Sequence, residues 1–143
     1  MAGPPRSDRG AASTEFVLIT PALIALLFLL LAAGRLTDAK SDIVGAASDA
    51  ARAASVQPTA GQATTAASAA ADATVSGERL NCSGGGPQVD ADYEPAFQRG
   101  ATVHVTVTCT VNVSDLTYIG FGPSVTLTEE AWEPIDAHRS QAP

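Results

Sequence analysis

Few residues in this 143-residue chain have the type and spacing to do chemistry. Glu15 stands out because it heads an uncharged run from Phe16 to Ala33. An ionised carboxylate facing lipid costs roughly 2.5 kcal/mol or more, so such a group either has a partner or sits at the headgroup boundary. Cys82 and Cys109 are the only cysteines. An even count in an exported region favours a disulfide, with two buried thiols as the other reading. Two cysteines without neighbouring histidines fall short of a four-ligand metal site. His104 and His138 have no ligands at metal spacing and read as surface histidines. Asp90, Asp92 and Glu94 alternate, but they lack the glycine and closing glutamate of a calcium loop and read as a solvated acidic turn. No Gly-x-Ser-x-Gly, phosphate loop or nucleotide fingerprint occurs. The expectation is a chain that is not an enzyme and needs no cofactor and no metal.

The elements that position these residues follow from periodicity. The run from Phe16 to Ala33, at about 1.5 Å per residue, nearly matches a hydrocarbon core of about 30 Å. Thr20 and Pro21 interrupt it near its start, which a membrane helix tolerates. Beyond Gly34, Leu36, Ile43, Val44, Ala47, Ala50, Ala51 and Ala54 recur at helical intervals, with most charges on other faces. This predicts an amphipathic extension of the membrane helix, with a weak point at Gly34 or Gly45. Its small alanines permit close approach of another helix. Pro58 stops that helix, and Thr59 can cap a second one over Ala60 to Ala73, which folds back on the first. A flexible linker is the other reading of that Ala/Thr/Ser/Gln stretch.

Asn81 to Pro87 is a loop by composition. After it, Val103, Val105, Val107, Cys109, Val111 and Val113 alternate with Thr102, His104, Thr106, Thr108, Thr110 and Asn112. That period of two marks a strand with one buried and one wet face, with Cys109 on the valine side. Val75 and the segment from Val125 to Leu127 are candidate neighbouring strands, the latter reached through a turn at Gly120 to Pro123. Trp132 and Phe121 are expected to complete the core. The fold class is therefore α+β: a long N-terminal transmembrane helix with an amphipathic extension, a second alanine-rich helix, and a small antiparallel sheet packed on the long helix.

Charge sets the orientation. Arg6, Asp8 and Arg9 precede the apolar run, whereas beyond Lys40 twelve acidic residues face four basic ones, within a net charge of −7. The positive-inside rule puts the N-terminus in the cytoplasm and the C-terminal part outside, although Arg35 and Lys40 add positive charge beyond the far end. An acidic exterior argues against nucleic acid as partner. A cleavable secretory signal fits poorly, because the run is longer than such a region needs, Glu15 stands at its head, and Leu30 to Ala33 lacks a small-x-small site.

Gly10 follows Arg9 and precedes Ala11, Ala12, Ser13, Thr14, Glu15 and Phe16. Here the sequence resembles type IV prepilins and, more closely, the TadE-like pseudopilins of tight-adherence (Flp) pilus systems. Their leaders end in Arg-Gly or Lys-Gly before small residues and Glu-Phe. The resemblance continues through Pro21, Gly34-Arg35 and the alanines around Arg52, with a fainter echo at Glu133-Pro134-Ile135-Asp136. It implies cleavage between Gly10 and Ala11 by a membrane prepilin peptidase, with Glu15 and Phe16 closing the recognition motif. It also implies assembly with other pilins and the pilus machinery, in contact with membrane lipid. The expected organisation is a leader at 1–10, a transmembrane helix at 11–34, an amphipathic extension at 35–57, a second helix at 58–73 and an extracytoplasmic β-rich domain at 74–143. The function so implied is a minor pilin or pseudopilin, held in the cell membrane by one span. The alternatives are an uncleaved single-pass protein with an outer ligand- or partner-binding domain, and an exported soluble protein.

Overall fold

Helix α1 runs unbroken from Ala11 to Ser55, with Pro21 inside it. At about 1.5 Å per residue it is about 67 Å long. The computed structural model describes residues 11–78, 80–112 and 123–136, apart from the side chains of 11–15 and 18. Neither Gly34 nor Gly45 breaks the helix, because alanine and leucine on either side supply high helix propensity. Pro21 has no N–H to offer the Val17 carbonyl. Beside it, the Thr20 hydroxyl donates to the Phe16 carbonyl, at 2.6 Å.

The two halves of α1 have opposite surroundings. Phe16, Val17, Ile19 and the leucines from Leu23 to Leu31 are exposed, whereas Ala39, Ile43, Ala46, Ala47, Ala50, Ala51 and Ala54 are buried. What covers the second half begins with α2, Ala60–Gly77. The Thr59 hydroxyl caps it by accepting from the Gln62 N–H at 3.4 Å. Ala63, Ala67, Ala71 and Val75 form its buried face at helical spacing. The linker reading of this stretch is thereby excluded. Val75, a candidate strand residue by sequence, is instead the last buried position of α2, because the helical period continues through it to Gly77.

Three antiparallel strands follow in the order β1-β2-β3: β1 Gln88–Glu94, β2 Thr102–Asn112 and β3 Ser124–Pro134. β2 is central, with its valines and Cys109 buried in strict alternation. α1 packs on β2 and β3, and α2 packs on α1 and β1. The result is the expected α+β arrangement, with helices on one face of a small sheet and the other face uncovered by any described element. Val125 and Leu127 lie in β3 as expected, half-buried opposite Val111 and Cys109. Alanine on the helices against valine on the strand makes a thin core, in which backbones approach closely and each buried valine contributes on the order of 1.5 kcal/mol.

Two expectations need correction. Asp90, Asp92 and Glu94 are not in a turn: they are the outward-facing positions of β1, which pairs with β2 from Gln88↔Thr108 to Glu94↔Thr102. Their alternation with Val89, Ala91 and Tyr93 was itself the strand signal. Trp132 does not complete the core; it is 60% exposed, because it shares the outward parity of Thr126, Thr128 and Glu130. Ile135 fills the corresponding place, 1% exposed, with its N–H donating to the Ala101 carbonyl at 2.8 Å. Phe121, Val113 and the turn residues Gly120 to Gly122 lie outside the described residues.

Candidate functional site: the bare helix and the open sheet face

Among the described residues, two surfaces are left without a covering layer. The first is the N-terminal half of α1, which is long and apolar enough to cross a membrane. Gly10 lies outside the described residues. Ala11 begins the helix and Glu15 falls in its second turn, so the backbone of the expected recognition motif is helical from Ala11 onward. Phe16 is 74% exposed at the start of the apolar face. Just past the span, Thr37 and Ser41 return their hydroxyls to carbonyls one turn back, on Ala33 and Thr37, at 3.0 and 3.2 Å. This keeps their polar groups satisfied without a partner.

The junction between bare and covered helix is charged. The Lys40 ammonium lies 3.4 Å from the Glu129 carboxylate of β3, which ties α1 to the sheet. Asp42 sits nearby, and its carboxyl is raised above the usual carboxylate value by burial first, then by the negative charges of Glu78 and Asp38. Higher up, the Thr74 hydroxyl donates to the Asp49 carboxylate at 3.0 Å and links α2 to α1.

Cys82 and Cys109 are joined in a disulfide, with Cα atoms 5.2 Å apart. It fastens the loop after α2 to the buried face of β2. The loop bends sharply through Gly84, Gly85 and Gly86, with φ of 102°, 97° and 144°, values that side-chain-bearing residues rarely adopt. The Ser83 N–H donates to the Thr110 carbonyl at 2.7 Å and continues the attachment.

The second uncovered surface is the outer face of the sheet. His104 of β2 pairs across the ladder with Trp132 of β3, and their rings stack 4.6 Å apart at 11°. The His104 Nε2 is buried and lies 3.3 Å from the Glu130 carboxylate, without hydrogen-bond geometry. Thr108–Thr128 and Thr110–Thr126 hydroxyl pairs, at 3.2 and 3.0 Å, continue the outer face along β2 and β3. At its other end Asp92, Tyr93, Glu94, Thr102, His104 and Trp132 line a shallow pocket of ≈ 320 Å³. The Tyr93 ring is committed to the helix side, since its hydroxyl donates to the Ala60 carbonyl at 3.3 Å and contacts the Thr64 hydroxyl at 3.2 Å. His104, Asp92 and Glu94 were singled out here by sequence, the first as a surface histidine and the other two as part of an acidic turn. Trp132 was legible too, through its parity with the threonines of β3. His138 lies outside the described residues. No group of three or more metal-ligating side chains occurs among the described residues.

Comparison with known proteins adds one match. The model of a family described as TadE-like protein matches residues 10–52, the bare span and most of the buried half of α1. No curated protein and no solved structure matches the chain.

Proposed function

We propose that this chain, TadE-like over residues 10–52, is a minor pilin or pseudopilin of a tight-adherence pilus system. The observation that carries the reading is the division of α1: one continuous helix, bare and apolar from Ile19 to Leu31, then buried along one face from Ala39 to Ala54 against a small disulfide-tied head. Such a helix holds the head at a fixed distance from the membrane. The same apolar surface that dissolves in lipid can pack against neighbouring helices when the subunit leaves it.

In this reading the leader is removed between Gly10 and Ala11 by a prepilin peptidase, and the helix keeps the product in the membrane. The head lies outside, where its disulfide is at home. Glu15 loses its cost in lipid by pairing with the new amine on Ala11 of an adjacent subunit. The spacing of Glu15 from Gly10, with the backbone from Ala11 onward already helical, supports that pairing. Association with other pilins and the assembly machinery follows from the family.

The mass of the mature N-terminus, taken from native membranes, tests the reading. A chain beginning at Ala11 is the expected result. An intact leader in cells with an active prepilin peptidase would overturn it in favour of an uncleaved membrane anchor.

A further inference from the structure

The open face of the sheet carries more than solubility. Asp92 and Glu94 form no ion pair among the described residues, and β1, β2 and β3 contain no lysine or arginine. Both carboxylates border the ≈ 320 Å³ pocket, whose other side is Trp132, an indole that is 60% exposed although one ring face rests on His104. Glu130 adds a further carboxylate beside His104. A large exposed indole costs free energy in water, and uncompensated carboxylates beside it raise the local negative potential. Together they make a concave surface with an aromatic wall and acidic edges.

We propose that this pocket binds an arginine side chain presented by a segment of a separate partner protein. The chemistry is specific to guanidinium: a planar cation stacks on the free edge or face of an indole while its fork of N–H donors reaches carboxylates at the rim. An ammonium offers the charge without the plane. Phosphate-bearing partners are repelled by the same carboxylates. The pocket lies on the face away from α1 and α2, so packing of the bare helix against a neighbour does not cover it. The inference is therefore independent of the proposed role in a pilus.

Trp132 is the only tryptophan in the chain, so its fluorescence reads the pocket directly. The full chain in zwitterionic micelles is titrated with an amidated Gly-Arg-Arg-Gly peptide, then with the lysine and glutamate analogues. The expected result is a saturable change in Trp132 emission, with the arginine peptide tighter than the lysine one by about 3-fold or more. In a variant carrying Asp92→Asn and Glu94→Gln the arginine peptide binds about 5-fold or more weakly, while Asp38→Asn, with the same kind of charge change on α1, has no effect. A circular dichroism spectrum equal to that of the parent shows that the variant is folded. No saturable change, equal binding by the double variant, or equal binding of the glutamate peptide overturns the proposal. So does a Trp132 shift that depends on protein concentration alone, which makes a second copy the occupant.

Discussion

Cys82, in the glycine loop after α2, is bonded to Cys109 on the buried face of β2, their Cα atoms 5.2 Å apart and 27 positions apart in sequence. The bond encloses β1, so the edge strand is tied to the central one by a covalent link as well as by its ladder. Closing a loop of that length lowers the entropy of the unfolded chain by an amount worth roughly 3.5 kcal/mol in the chain-entropy model. Cys82→Ser is expected to lose most of it, and Cys109→Ser more, because Cys109 is 1% exposed and serine would place a hydroxyl among valines. Urea unfolding of the full chain in micelles, with and without reductant, checks both. Equal stability of parent and Cys82→Ser would mean that the ladder alone fixes β1.

Ala67 occupies the middle of the buried face of α2, at 0% exposure. The alanines there let α1 and α2 approach closely, and a longer side chain has no space to enter. Ala67→Leu is expected to destabilise the head by about 1–3 kcal/mol, despite the good helix propensity of leucine. Ala69→Leu, two positions further on and exposed, is the control and should change little. Thermal unfolding of the two variants separates overpacking from propensity.

The helices and β2 were legible in the sequence because each repeats a single period over many residues. α2 extends beyond Ala73 to Gly77 because Val75 keeps that period where the alanines stop. β1 was harder to see: its outward positions are Asp90, Asp92 and Glu94, and a run of acids suggests a turn unless Val89, Ala91 and Tyr93 between them are weighted equally. Trp132 misleads for the opposite reason. Its size suggests a core residue, whereas its place in the alternation of β3 sends it outward onto His104. Residue type alone decides neither case, and parity along the strand decides both. The pocket could not have been read without the register, since it joins residues from three strands that meet only across the ladders.

If Glu15 pairs with the amine of Ala11 in a neighbouring subunit, its charge matters and its size does not. Glu15→Gln and Glu15→Ala should then both lower incorporation into the assembled fibre or its base, by about tenfold or more if the pair is worth about 1.4 kcal/mol in lipid. Membrane insertion should persist in both, because removing a carboxylate makes the helix easier to place in lipid. Fractionation of membranes and sheared pili, with leader cleavage followed in parallel, distinguishes the steps. Unaltered assembly in both variants would remove the pairing.

Asp42 offers a test of the junction where the helix enters the head. Its carboxyl is raised from 3.8 by burial, then by Glu78 and Asp38, so the folded chain binds this proton more tightly than the unfolded chain does. Stability therefore increases as the pH falls through the folded value, and the increase is complete below 3.8, where both states are protonated. At neutral pH the ionised group is a net cost. Asp42→Asn removes it and should stabilise the head at pH 7, by no more than about 0.5 kcal/mol because the carboxyl is well screened by solvent. The gain should disappear at a pH below 3.8. Glu78→Gln relieves only the repulsion and should give a smaller gain over the same window. Unfolding curves of the three chains across that range decide it. A stabilisation by Asp42→Asn that is equal at both ends of the range would show that packing of the amide, and not the lost charge, is responsible.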